Sequence, residues 1–249
     1  MEWGTIPAMP QVPEFTLAEL TGRERTHLAE LSDPPVQLHR EVVVPFLAMR
    51  AAAAAEGIDL VAFSGFRDFD RQLAIWNGKY RGERPLQDRD GGKLDALSLP
   101  PSRRVEAICW WSALPGASRH HWGTDFDVMD RAALPAGYKF QVAPAEYAPG
   151  GPFARLATWL DAHMHAFGFF RPYDTDRGGV RPEPWHLSHA AVAARAASAL
   201  DPAALRDVLA AADIDGKEEV LAGLDRHFAD YVVNVDQPPD AARLSPRLS

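Results

Sequence analysis

An α+β fold, with a small, mostly antiparallel sheet flanked by helices and a further helical segment at the C-terminus, follows from three features of the sequence. Residues 58–66 (IDLVAFSGF) form a short apolar run rich in β-branched and aromatic residues, the composition of a buried strand feeding a loop. In DFDVMD (125–130), Phe126 and Val128 alternate with acids, as on a strand with one apolar face. Residues 190–231 are Ala- and Leu-rich and read as helical. The expected organisation is an N-terminal extension with a first helix (1–35), a core carrying the functional residues (36–189), and a helical segment (190–249) packed on that core.

In order along the chain, the Pro-rich residues 1–15 read as extended. Leu17, Leu20, Leu28 and Leu31 have roughly helical spacing, interrupted by Gly22, and predict a helix over 17–31. A second helix is expected from Val36 to Glu56, stopped by Gly57. The strand in 58–66 then places Arg67 just past a strand end, and Phe69, Leu73 and Trp76 share one face of a helix over 68–80. The Gly-, Asp- and Pro-rich stretch 82–101 reads as a long loop of the kind that borders sites; its mixed charges read as a solvated loop. A short helix over 102–113, a turn at PGAS, an amphipathic helix over 153–167 and a strand within PEPWHLSH complete the core. No fixed-period repeat is present.

Charge and cysteine content exclude several functions. The net charge of -8 argues against phosphate-backbone binding, so nucleic acid is not expected as a partner. The lone Cys109, inside the apolar run IleCysTrpTrp, rules out an internal disulfide or a Cys-rich zinc module and reads as core. The most apolar stretch, VVVPFLAMRAAAAA, is broken by Pro45 and Arg50 and is too short to span a bilayer, so no transmembrane segment is expected. MEWGTIPAMPQVPEF has no basic region and no apolar region of an export signal.

Two clusters carry the chemistry. PGASRHHWGTDFDVMD holds His120, His121, Asp125 and Asp127 within eight residues, a nitrogen and carboxylate set suited to catalytic zinc. The bland alternative is turn histidines beside an edge strand solvated by its acids. EPWH adds His186 and, three residues earlier, Glu183, in a segment that Pro184 keeps from being regular helix. Together they supply three ligands and a nearby base, the inventory of a catalytic zinc. The helical alternatives HExxH and HxxEH do not occur, nor do the serine-enzyme motifs SxxK and GxSxG.

Residues 118–127 fit SxHxxGxAxD, Glu183 to His186 fits ExWH, and SGFRDFDRQ (64–72) is similar to the SGYR...Q segment that precedes them in the LAS metallopeptidases. The chain thereby resembles the VanY-type D-alanyl-D-alanine carboxypeptidases over about half of its length. The resemblance implies one Zn2+ per chain held by His120, Asp127 and His186, Glu183 as general base, Arg67 as anion-binding residue, and Ser118 and Gln72 as substrate contacts. It further implies a peptidoglycan-derived peptide as substrate, and hence action outside the cytoplasmic membrane. No export signal is visible to support that expectation, which leaves the cytoplasm as the alternative.

One position departs from the pattern: Asp125 stands where the signature has Ala. Alternation puts it on the side of Asp127. It is expected to orient a ligating imidazole from behind or to bind a cationic part of the substrate, with replacement of Asp127 as ligand the third option. Arg67 can pair with a terminal carboxylate or stabilise a developing oxyanion, and Trp122 and Trp185 either wall the pocket or fill the core. His121 and His189 are expected behind a ligand or on the surface, and His163 and His165 need no role. Removal of terminal D-alanine is the leading activity. Endopeptidase or D,D-dipeptidase action at the same zinc is the alternative, and a non-catalytic cell-wall-binding module is the alternative outside enzymes. Oligomeric state is not legible.

Overall fold

The computed structural model describes residues 15–243, so the expected extended course of the preceding residues lies outside them. The helix predicted over 17–31 is a single turn, α1 (Leu17–Leu20), with Thr16 and Glu19 forming a reciprocal N-terminal cap. Gly22 ends it at φ +72, where a Cβ would lie 2.4 Å from the His121 ring. The remainder of that predicted helix is strand: β1 (Leu28–Ser32) pairs antiparallel with β2 (Pro35–His39), from Leu28 opposite His39 to Ser32 opposite Pro35. Pro34 and Pro35 explain why the next helix begins four residues later than expected, since neither supplies a backbone donor. That helix, α2 (Arg40–Ala55), is capped by His39, whose Nδ1 accepts from Glu41 N at 3.2 Å, and it stops before Gly57.

The following elements are β3 (Leu60–Ser64), α3 (Phe69–Tyr80), a minute hairpin of β4 (Leu86–Gln87) and β5 (Lys93–Leu94) inside the predicted loop, and α4 (Pro101–Cys109). Then come β6 (Asp125–Asp130), α5 (Ala154–His163) with a 3-10 turn to Phe167, β7 (Phe169–Phe170) and β8 (His186–His189). The last strand is shorter than expected because the turn through Glu183 and Pro184 ends only at His186 N, which donates to Glu183 O. The C-terminal helical region is broken at Pro202 and Gly216 into α6 (Ala190–Ala199), α7 (Pro202–Ala211), α8 (Lys217–Ala222) and α9 (Leu224–His227), followed by a short α10 (Asp240–Arg243).

The main sheet runs β3-β6-β8-β7, every pair antiparallel. Its period of two sorts residues between faces. Leu60, Ala62, Phe126, Val128 and Leu187 point to one side and form a core with Val42, Phe46 and Met49 of α2 and Leu156 and Leu160 of α5. Phe46 meets Phe126 edge to face at 5.1 Å, and burial of each ring contributes roughly 1.5–3 kcal/mol. Asp125, Asp127, His186 and Ser188 point to the other side. A second core gathers Trp76, Ile108, Trp122, Leu205 and Leu209 from the helices beyond that polar face, with Cys109 buried among them. The C-terminal helices are tied to α3: Trp76 Nε1 and Asn77 Nδ2 donate to Asp215 O (3.0 Å) and Asp213 O (2.9 Å).

Candidate metal centre

Strand register builds the cluster. Asp127 lies opposite both Ser64 of β3 and His186 of β8, so the Asp127 and His186 side chains form a cross-strand pair on the polar face. His120 arrives from a 3-10 turn over Arg119–Trp122, closed by Gly123 at φ +66, where a Cβ would strike Leu28 and His39 N. One donor atom from each of His120, Asp127 and His186 lies within 4.8 Å of the others.

Each imidazole is oriented by its second nitrogen. His120 Nδ1 is 2.9 Å from Gly65 O, which makes it the N–H and leaves Nε2 toward Asp127 Oδ2 at 3.6 Å. His186 Nε2 is 3.0 Å from Asp125 Oδ1, while Nδ1 lies 3.2 Å from Asp127 Oδ1 and 3.5 Å from Glu183 Oε2. Asp127 Oδ1 and His186 Nδ1 are buried and have no hydrogen-bond partner. Two such atoms cost free energy unless a cation meets both, so the residues present fit a metal ion.

The electrostatics agree. Burial disfavours charge on His186, yet its hydrogen bond with Asp125 and the negative charges of Asp125 and Asp127 outweigh that penalty and push its pKa up to about 10. That charge is a proton, and a metal ion bound here would displace it, since only the neutral ring ligates. Burial drives His120 down to about 3, which keeps it neutral, the form that ligates. Burial raises Glu183 to about 7, with Asp127 adding to the rise and His186, Arg67 and Lys79 opposing it, the range a general base needs.

Asp125 is fully buried and saturated. It accepts from Arg119 Nε (2.7 Å), Thr124 Oγ1 (2.5 Å), Ser188 Oγ (3.1 Å) and His186 Nε2, while Arg119 Nη2 also donates to Ser188 Oγ (2.7 Å). Burial opposes its charge, but Arg119 and His186 hold the carboxyl well below the usual range. Of the roles expected for Asp125, the geometry allows support of His186 and leaves no oxygen for metal or substrate.

The cleft in front of the cluster has a volume of about 210 Å³ and is lined by Arg67, Lys79, Ser118, Glu183, Trp185 and other residues. Arg67 donates through Nη1 to Gln72 Oε1 (2.8 Å), and Gln72 Nε2 donates to Ala113 O (2.7 Å). Gln72 is completely buried with both ends of its amide engaged, so it holds Arg67 and stands back from the cleft expected of a substrate contact. Ser118 lines the cleft, Trp185 belongs to cleft and core, and Trp122 is core. His121 is buried, with Nδ1 2.5 Å from Arg67 O and Nε2 accepting from Gly116 N; it fastens the Arg67 loop and is not a surface group. His189 is likewise buried, whereas His163 pairs with Glu56 and His165 Nδ1 lies 3.0 Å from Phe169 O, and neither lines the cleft.

Residues outside the sequence reading complete the site. Arg119 and Ser188 brace Asp125, the Tyr173 ring stands edge-on to His186 at 5.0 Å, and Lys79 reaches the cleft from α3. Lys79 was findable, because it lies seven residues after Gln72 on one helix face. Arg119 was not, because its partners come from two other strands. The loop carrying Tyr173 is fastened by Asp236 of the C-terminal segment, which accepts from Asp174 N, Thr175 N and Thr175 Oγ1.

A family model described as VanY, D-alanyl-D-alanine carboxypeptidase, matches residues 35–192. An uncharacterized protein of Haemophilus influenzae is 34% identical over 122 residues, 48% of this chain and 93% of that protein. The D-alanyl-D-alanine carboxypeptidase of Enterococcus faecalis is 28% identical over 146 residues, 57% of this chain and 44% of that enzyme. A solved structure of VanYB in complex with D-alanine-D-alanine is 23% identical with a TM-score of 0.48, covering 70% of this chain and 82% of the other. Because the family match spans more than half of the chain and contains Arg67, the three clustered donors and Glu183, the chain belongs to the VanY D-alanyl-D-alanine carboxypeptidase family.

Proposed function

We propose that this chain is a zinc-dependent D,D-carboxypeptidase that removes the terminal D-alanine of peptidoglycan stem peptides. One zinc per chain is held by His120 Nε2, Asp127 and His186 Nδ1. The observation that carries the reading is the pair of buried, unpartnered atoms, Asp127 Oδ1 and His186 Nδ1, turned toward one another beside the Glu183 carboxylate. Its substrate class places the activity outside the cytoplasmic membrane. Among the described residues no helix is long and apolar enough to cross a membrane.

A bound zinc supplies Lewis acidity, polarising the scissile carbonyl and making water acidic near neutral pH. Glu183 takes the proton of the attacking water and returns it to the leaving amine; it stands within 3.5 Å of a ligating ring without itself belonging to the ligand cluster. Arg67, fixed by Gln72 and by its backbone bond to His120 O, presents a guanidinium to negative charge that develops at the carbonyl oxygen.

Zinc-loaded protein should shorten a defined pentapeptide by the mass of one D-alanine. Glu183→Gln should keep its zinc and lose about 10²–10⁴-fold in kcat. Release of a dipeptide, or cleavage inside the stem, would replace this reading by the dipeptidase or endopeptidase alternative.

A further inference from the structure

Val142 stands in a backbone conformation that its own side chain disfavours. Among the described residues it is the one non-glycine at positive φ, +55. A β-branched residue there is an outlier, because its Cβ crowds the following carbonyl oxygen. Burial does not explain it, since Val142 is 40% exposed.

The surroundings impose the conformation. The buried carboxylate of Glu146 accepts from Gln141 N and Ala143 N, the amides on either side of Val142, and from Tyr138 Oη, each at 2.9 Å. Phe140 lies edge to face with both Phe63 of β3 (4.9 Å) and Phe153 (5.4 Å), and Tyr147 Oη donates to Val128 O of β6 (2.6 Å). The connection from β6 to α5 is thereby fastened to two strands of the main sheet. It gives the cleft a single side chain, that of Val142. Strain that neighbouring groups over-determine at the wall of a reactive cleft points to a use for the strained side chain. In a space of about 210 Å³ a stiff isopropyl group both offers an apolar contact and limits size.

We propose that Val142 sets the size of the side chain accepted beside the scissile bond, packing against a methyl group and excluding a longer chain. It is a specificity-determining residue, and Glu146 is the residue that positions it. This inference rests on the carboxypeptidase reading above.

The test is calorimetric binding, to zinc-loaded Glu183→Gln protein, of diacetyl-Lys-D-Ala-D-Ala and of two analogues with D-Leu in the last or the next-to-last position. With Val142 in place, at least one analogue should bind about tenfold or more weakly than the parent peptide. Val142→Gly should remove most of that difference. Val142→Asn, similar in size and at ease at positive φ, should keep the exclusion of D-Leu. Neither variant should melt earlier than its parent. Equal binding of the three peptides, no binding of any, or a difference that survives Val142→Gly with zinc content unchanged overturns the proposal. A melting temperature lowered by both substitutions also overturns it, by making Val142 an ordinary packing residue. The underlying reading is judged separately, by whether the zinc-loaded native chain releases D-alanine from the parent peptide. Release without Val142-dependent discrimination keeps the enzyme and removes the size limit, and discrimination without release does the reverse.

Discussion

Asp125 and Asp127 are the same residue type, two positions apart on one strand and one face, yet they stand in opposite electrostatic situations. Behind His186, Asp125 is saturated by Arg119, Thr124, Ser188 and the His186 Nε2–H. In front, Asp127 keeps an oxygen without a hydrogen bond, 3.2 Å from a His186 Nδ1 that also has none. The contrast teaches that the carboxylate left open to a cation is set by what neighbouring elements spend on each, not by strand geometry alone. A saturated carboxylate fixes the ring tautomer and raises its basicity; an unsaturated one waits for a cation.

Breaking the rear network should cost the most stability. Arg119→Met removes the guanidinium that neutralises Asp125 and leaves a fully buried charge, so unfolding free energy should fall by about 3–5 kcal/mol in chemical denaturation. Asp125→Asn retains the size of the side chain but weakens its hold on His186. Zinc affinity should drop about 10–100-fold by competition with a chromogenic chelator while the bound stoichiometry at saturation stays unchanged. If zinc affinity were unaffected, the rear carboxylate would be structural only.

A buried imidazole outside the cluster and its cleft sets the background against which these effects are read. Burial pushes His39 down to about 4, against an ordinary value near 6.5, and its neutral Nδ1 caps α2. The unfolded chain takes up this proton below about 6.5 and the folded chain only near 4. The stability His39 contributes is thus present above 6.5 and lost as pH falls through that window, by about 1.4 kcal/mol per unit at most. His39→Asn keeps a capping acceptor that does not titrate, and should flatten the pH dependence of stability between 6.5 and 4 by that amount. Ser188→Ala, which removes one hydroxyl from the rear network while leaving Arg119 on Asp125, should cost only about 0.5–1.5 kcal/mol and leave zinc stoichiometry intact.

The asymmetry between the two aspartates also marks what the sequence can disclose. The strand in 58–66, the strand at 125–130, the helix through Trp76 and the three clustered donors were legible because periodicity and motif spacing are local properties. The β1–β2 hairpin was not: Leu28 and Leu31 fit helical spacing, and only the pairing partner beyond Pro34 and the stop at Gly22 decide for strand. The same limit hid Arg119, whose side chain joins β6 to β8, and left three roles open for Asp125 until cross-strand register placed it opposite Ser188. Lys79 left a partial signal, its place seven residues after Gln72 on one helix face, although a lysine near a helix end ordinarily lies in solvent. That this face is a cleft wall follows only from Tyr173, Val180 and Glu183, which line the same cleft from a distant stretch of the chain.

The most direct test of the two-carboxylate account is zinc content by elemental analysis of Asp127→Ala and Asp125→Ala, purified side by side at equal total zinc. The account predicts near one zinc per chain in the native protein and in saturated Asp125→Ala, and close to none in Asp127→Ala. Retention of zinc in Asp127→Ala with its loss in Asp125→Ala would contradict it and move the ligand to the rear carboxylate.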